Sequence, residues 1–392
     1  AGLSRRSQRQ PPRRWLLLAS DALPQCFQFR VLQKQQQLEA LGWNSRILME
    51  ADLGKTEHNS LLSWADAIVI CRLQASTELL DWMQAARAAN LPCFYDIDDL
   101  LFDPDHSPPP LTNYWGRLPP ELHRRFVIDQ QLIRKVMLYC DAVIVSSSTL
   151  KKRWKTINNN QSNSQPVIIL PNLAPPELWN TTVCKASEDR TTPLRLVVAS
   201  GSSTHLRCWR EELAPALTKL MKRYPTLELS LMGEISAPLG LLEHHQRIKH
   251  QGLLSYAQYI HSISENDIGL MVLEHGVFTD AKSANRWMEF SLCGLASVMS
   301  PTQTLKEIIT ENNHVLFARG TNQWENQIER LIQSPSKRKR LALQAMARAR
   351  QVFQPTSAES TWETIASIAC QIRPTCFSAP LETTQGDQLL NN

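Results

Sequence analysis

Short runs rich in Val, Ile, Leu and Cys recur along the chain. They alternate with longer segments whose apolar residues return every three or four positions. The runs predict strands at 14–20, 45–49, 67–72, 92–97, 141–147 and 166–171 in the first half. In the second half they predict strands at 194–200, 227–232, 248–252, 267–273, 296–300 and 314–318. Most are continuous rather than alternating, the pattern of strands covered on both faces. The amphipathic segments predict helices at 25–41, 76–89, 119–139 and 148–155, then at 208–223, 255–264, 282–293, 303–310, 322–333, 335–353 and 357–371. Strand, helix, strand in repeated order requires parallel sheets with right-handed crossovers.

The alternation pauses once. Residues 173–193 carry Pro175, Pro176, Asn180, Thr181, Thr182 and Pro193 without periodicity, which reads as a linker. The expected organisation is a basic, flexible stretch at 1–12, a first domain at 13–172, the linker, and a second domain at 194–354. A C-terminal helix at 355–373 can return to the first domain, and a polar tail follows at 374–392. The fold class is α/β, with two doubly wound domains. Ligands of such sheets bind outside the carboxyl ends of the strands, so a cleft between the domains is the expected site.

Composition changes this picture little. The chain has 392 residues, 43% of them hydrophobic and 20% charged, which excludes disorder over the whole length. A net charge of +5 does not imply nucleic acid. Basic clusters at Arg5, Arg6, Arg9, Arg13 and Arg14 and at Lys337–Arg340 are solvated faces or contacts to an anionic membrane surface. The nine cysteines form no C-x-x-C pair, and Cys71, Cys93, Cys140 and Cys293 lie in apolar runs, as buried thiols of a reducing compartment do. No apolar run is long enough to span a bilayer, and a cytoplasmic protein, placed at most at the inner face of a membrane, is expected.

Three segments carry candidate chemistry. The first is DIGLMVLEHGVFTDAKSANRWMEFSLCGLASVMSP, 267–301. A helix starting near Lys282, capped by Ser283 or Asp280, would put Lys282, Asn285 and Glu289 on one face. Gly294 would end it in a left-handed cap. The second is LRLVVASGSSTHLRCW, 194–209, a strand running into Gly201, Ser202, Ser203 and Thr204 before a helix. Backbone N–H groups at that helix start suit a diphosphate, with His205 and Arg207 as further phosphate contacts. The absence of G-x-G-x-x-G argues against a dinucleotide enzyme. The third is FYDIDDLLFDPDH, 94–106, with Asp96, Asp98, Asp99 and Asp103 near a strand's carboxyl end. Its D-I-D is read as orienting a ligand or catalytic group or as loop capping, not as a metal site. His244, His245, His250 and His261 are assigned to solvent or core. Tyr114 and Trp115 could stack on an acceptor sugar.

Residues 282–300 resemble the GT-B glycosyltransferases, in particular the large retaining family of bacterial surface-polysaccharide and glycolipid synthesis. K-S-A-N-R-W-M-E and E-F-S-L-C-G-L-A-S-V-M-S follow that family's Glu-containing helix, glycine stop and strand. G-S-S-T-H at 201–205 and D-I-D-D-L at 96–100 resemble segments of related transferases. The resemblance implies two Rossmann-like domains facing each other across a cleft. It also implies transfer of a sugar from a UDP- or GDP-sugar to a hydroxyl of a glycan, lipid-linked or protein acceptor, without metal or tightly bound cofactor. Glu289 would hold the ribose, and Lys282, Arg207 and His205 would stabilise the departing diphosphate. Gly201–Thr204, Ser283 and Asn285 would complete the donor site, with Asp96, Asp98 and Asp99 on the acceptor side. Two departures stand out: the family's usual proline is Ala296, and its earlier glutamate falls on Ala281. An epimerase of the same fold, a non-catalytic scaffold and a two-lobed periplasmic-type binding protein are the competing readings.

Overall fold

The computed structural model describes residues 11–158, 165–180 and 193–372. The expectations for Arg5, Arg6 and Arg9, for 181–192 and for the tail 374–392 lie outside the described residues.

Each predicted apolar run forms a strand. The first lobe holds β1 (Arg14–Ala19), β2 (Asn44–Met49), β3 (Ala67–Cys71), β4 (Cys93–Ile97), β5 (Ala142–Val145) and β6 (Val167–Ile169). The second holds β7 (Arg195–Ser200), β8 (Glu228–Gly233), β9 (Ile248–Gln251), β10 (Ile268–Met271), β11 (Ala296–Met299) and β12 (Leu316–Phe317). They form two six-stranded sheets, ordered β2-β1-β3-β4-β5-β6 and β12-β11-β10-β7-β8-β9. All their ladders are parallel. Central β3 and β4 are buried throughout, whereas β2 and β9 keep exposed positions because each is an edge.

Strand order locates the crevices. In the first sheet the chain winds outward from β1 through β2 on one side and β3 on the other. In the second sheet the reversal falls between β7 and β10. A doubly wound sheet opens a ligand crevice outside the carboxyl ends of such a pair. The helical segment after the first strand of each lobe contains a π turn, Gln28–Leu32 and Trp209–Leu213 respectively. Such turns are frequent at functional sites.

The lobes are also joined behind the cleft. The start of the expected linker is packed rather than loose. Leu173, Ala174 and Leu178 are buried, and the Ala174 N–H donates to the Phe353 carbonyl at 3.1 Å. Helix Glu359–Gln371 packs on the first sheet through Trp362, Ile365, Ala366 and Ala369. Trp362 meets Trp15 edge-on at 5.2 Å and donates from Nε1 to Gln37 at 2.9 Å. Among the described residues no helix is long and apolar enough to cross a membrane.

Candidate active site

The loop after β7 sits at the crevice of the second sheet. Ser200 Oγ donates to the Ser202 carbonyl at 2.8 Å and Ser202 Oγ to Thr204 Oγ1 at 3.0 Å, which fixes the turn into helix Leu206–Cys208. A Cβ on Gly233 would lie 2.2 Å from the Ser200 carbonyl oxygen, and its φ of +85° is left-handed, so only glycine lets β8 close against this loop. Gly201 faces the first lobe, where a Cβ would meet Gln25 Oε1 at 3.6 Å.

His205 does not supply charge. The Glu274 backbone N–H donates to its Nδ1 at 3.1 Å, and burial together with nearby Lys282 pushes the imidazole down to about 3. A neutral ring can bond a phosphate oxygen but cannot neutralise it, which corrects the sequence expectation. Arg207 is also less available than expected. It is paired with buried Glu274 and lies 3.6 Å from Glu211, while Glu274 Oε1 accepts from the Cys208 N–H at 2.8 Å.

The late helix starts later than its sequence suggested. It spans Asn285–Leu292, with Ala284 at its N-cap and no side-chain cap. Ser283 is therefore not a cap, and Asp280 instead accepts from the Gln303 N–H at 3.1 Å. The cause is packing: Ala281 is buried in the first lobe's apolar cluster with Leu100 and Phe102, with Phe278 packed against it. The chain must cross between lobes before it can coil. Lys282 thus precedes the helix and does not share a face with Asn285 and Glu289. It is nonetheless in the cleft, 25% exposed, with Nζ 3.2 Å from Asp99 in the opposite lobe. Asn285 Oδ1 accepts from Asn172 Nδ2 at 3.1 Å, a second bridge between lobes. Gly294, at φ +76°, ends the helix as expected, and the Leu295 N–H donates to the Phe290 carbonyl at 2.9 Å in a Schellman closure.

Glu289 is only 2% exposed. Its Oε2 accepts from Tyr259 Oη at 2.7 Å and from Arg286 Nη1 at 3.2 Å. Burial raises its carboxyl to about 7, with Arg286 opposing the shift. The sign follows: between about 4.5 and 7 the native state holds a proton that the unfolded chain has lost. This group's contribution to stability therefore declines as pH rises through that window. Urea unfolding of wild type and Glu289→Gln between pH 5 and 8 should show the wild type losing stability relative to the variant as pH rises.

The acidic segment divides into three roles. Asp96 is not an acceptor-side group. It lies within β4, fully buried, and pairs with Arg30 at 2.6 Å and Lys34 at 3.0 Å. Asp98 takes Arg72 at 3.1 Å and accepts from Asn172 at 3.3 Å. Asp99 lies between Arg72, at 3.3 Å, and Lys282. Against the burial that would raise it, those two cations hold the Asp99 carboxyl down to about 2. Arg72 itself sits at φ +58° at the end of β3, a strained conformation of the kind found at functional sites. Its Nη1 also lies 2.9 Å from Cys26, whose thiol burial pushes up to about 12.

The D-I-D does not present two carboxylates to a cation, since arginine and lysine already occupy them. Possible ligand atoms do gather at Cys208, Glu212 and His275 and at Asp103, Asp105 and His106. In the first group Glu212 also accepts from the Gly320 N–H at 2.6 Å; in the second Arg153 pairs with Asp103. Trp115 is 45% exposed with Arg210 5.7 Å above its ring, and Tyr114 packs on His123. Arg117 bonds Ser236 at 2.8 Å, so this loop bridges the lobes. His245, His250 and His261 are exposed, and His244 accepts from Arg247 at 3.0 Å.

Sequence reasoning missed Arg72, Arg30, Lys34, Glu274, Tyr259 and Arg286. Two signals were present. An aspartate inside a buried strand requires a buried cation, and Arg286 stands in the K-S-x-N-[KR]-x-x-E pattern. Nothing local marks the rest, which meet only on folding.

Two parallel six-stranded lobes with a cleft between them make a fold of the GT-B class. Within that class, residues 210–363 match the family model described as glycosyl transferase-like. No curated protein sequence matches significantly. Among solved structures, Anabaena HepE in complex with UDP is similar at a TM-score of 0.56 and 16% identity, over 90% of this chain and 100% of that one. An alpha-glucosyltransferase in complex with UDP-glucose and DNA containing an abasic site gives 0.60 at 9% identity, over 90% and 99%. Sucrose-phosphate synthase from Thermosynechococcus elongatus gives 0.58 at 13% identity, over 92% and 98%.

Proposed function

We propose that the protein transfers a sugar from a UDP-sugar to a hydroxyl of a glycan acceptor, with retention of configuration and without a metal. The observation that carries this reading is Lys282, a cation brought by the second lobe's loop into the cleft beside the β7 loop and His205. There the backbone N–H groups of Gly201–Thr204 and the Lys282 ammonium would hold the diphosphate. The ribose would reach Glu289 through Oε1, since the Tyr259 and Arg286 bonds both end on Oε2. UDP is favoured because HepE and the alpha-glucosyltransferase were crystallised with UDP or UDP-glucose.

Retention is supported by the weakness of nearby bases. Asp99, held near 2, and His205, near 3, accept protons poorly at neutral pH. The bond from the anomeric carbon to the diphosphate would break as the acceptor oxygen bonds that carbon. The acceptor proton would pass to the departing phosphate oxygen, whose growing charge Lys282 offsets.

A thermal-shift panel of UDP-, GDP-, ADP- and CMP-sugars tests the reading. The UDP-sugars should raise the melting temperature by mass action, and Glu289→Ala should remove most of that shift. A wild type that responds to none of them fits a non-catalytic scaffold instead.

A further inference from the structure

The first sheet carries its own crevice, and it is unassigned. At the reversal between β1 and β3 lies a pocket of about 190 Å³, lined by Ser20, Leu23, Phe27, Glu50, Arg72 and Gln74 among others. Ser20 follows β1, Glu50 follows β2, and Arg72 and Gln74 follow β3, so most of the polar lining comes from carboxyl ends of strands, with Arg30 added from the helical segment Gln28–Leu32. At about 190 Å³ the pocket is smaller than the ~300–1,000 Å³ of sites for drug-sized ligands, which suits a ligand of about one ring.

Charge narrows the class of occupant. Arg72 is the lining cation nearest the transfer site, yet Asp98 at 3.1 Å and Asp99 at 3.3 Å already neutralise it. Arg30, deeper in the wall, shares Asp96 with Lys34 and spends its other donors on the Leu170 carbonyl and Asn172. Glu50, by contrast, has no ion pair or side-chain hydrogen bond among the described residues, and Gln74 has none either. The pocket therefore offers a carboxylate and an amide to hydroxyl groups, with Leu23 and Phe27 beside them for the apolar C–H face of a ring. An anionic ring would meet Glu50 without a free cation to compensate.

We infer that this pocket receives the acceptor as a single neutral sugar ring, with Glu50 and Gln74 as its hydroxyl partners, and that it rejects sugars bearing a carboxylate or phosphate. Arg72 links it to the donor side, since its partner Asp99 also holds Lys282. The inference rests on the glycosyltransferase reading above and names the acceptor class for it.

The test is saturation-transfer NMR and calorimetric titration of the UDP-saturated protein. The probes are the methyl glycosides of glucose, galactose, mannose and N-acetylglucosamine, against methyl glucuronide and glucose 6-phosphate. At least one neutral glycoside should bind at least tenfold more tightly than either anion. Glu50→Ala/Gln74→Ala should weaken that binding about tenfold or more, as expected for two lost hydrogen bonds, while UDP affinity stays unchanged. Glu50→Gln should narrow the gap between glucoside and glucuronide, a change of selectivity that a merely structural residue would not give. Equal binding of the anionic sugars, no binding of any neutral glycoside, or a double variant that binds like wild type overturns the inference. Failure of UDP to bind wild type at all would instead overturn the donor-site reading, so the two failures are distinguishable.

Discussion

Replacing Lys282 with methionine is expected to lower turnover of the proposed nucleotide-sugar donor by about 100- to 1,000-fold, the usual loss when one preorganised stabiliser of a developing charge is removed. The reason is specific to this cleft. His205 is neutral and Arg207 is held by Glu274, whereas Lys282 has, among the described residues, its ion-pair partner across the gap. Lys282→Arg should recover part of the rate, because charge survives while reach and geometry change. Asp99→Asn should move nucleotide affinity the other way. It frees Lys282 from a competing carboxylate and should tighten UDP by about 0.2–1 kcal/mol, the scale of a part-exposed pair, while the lobes lose a contact that sets their register. UDP titrations of the two variants, with rates measured on the same preparations, check both directions. A Lys282→Met enzyme with wild-type turnover would remove the central cation from the mechanism.

The largest effect on stability is expected at Asp96. Substitution by alanine leaves Arg30 and Lys34, both buried, without their counter-charge and should cost about 3–5 kcal/mol. Burial and Arg30 already lower the Lys34 pKa, so its charge depends on Asp96 for support. Urea denaturation reads the loss as a drop in midpoint at unchanged slope. The triple variant Asp96→Ala/Arg30→Met/Lys34→Met should recover most of it, because it removes the uncompensated charges along with the pair. An Asp96→Ala midpoint equal to wild type would show that Asp96 does not hold these cations. The same triad explains why Asp96, though adjacent to the cleft in sequence, does not serve it: it belongs to the floor on which Asp98 and Asp99 stand.

The two sheets could be read from the chain because each strand is a compact apolar run bounded by polar turns, and continuous runs mean strands covered on both faces. Edge strands were legible for the same reason in weaker form: β9 keeps only Ile248 and Gln251 half-buried. The helix at 282–293 was misplaced at its start because its pattern there is local, whereas the deciding force is distant. Ala281 buries in the other lobe and pulls 281–284 out of the helical path. The alanine found at that position, where the resembling family carries a glutamate, fits its burial in this apolar cluster.

The chemistry was legible by residue type and not by pairing. Lys282, Asp98 and Asp99 were picked out, but their neighbours Arg72, Cys26 and Asn172 are separated from them by tens of residues or more and share no spacing rule. The D-I-D was set apart from metal-binding pairs on pattern grounds, and its first aspartate, read as an acceptor-side group, pairs with Arg30 and Lys34 instead. Its place inside CFYDI, a strand buried at every position, was the overlooked signal.

The central claim is that the nucleotide-sugar lies at the β7–β10 reversal, with its diphosphate on the β7 loop and Lys282 and its ribose at Glu289. A crystal structure of the UDP complex tests this most directly. The account predicts phosphate oxygens within hydrogen-bonding distance of Lys282 Nζ and the Gly201–Thr204 amides, and a ribose hydroxyl on a Glu289 oxygen. UDP bound elsewhere, or bound here with Lys282 still closed on Asp99 and Glu289 untouched, would contradict it.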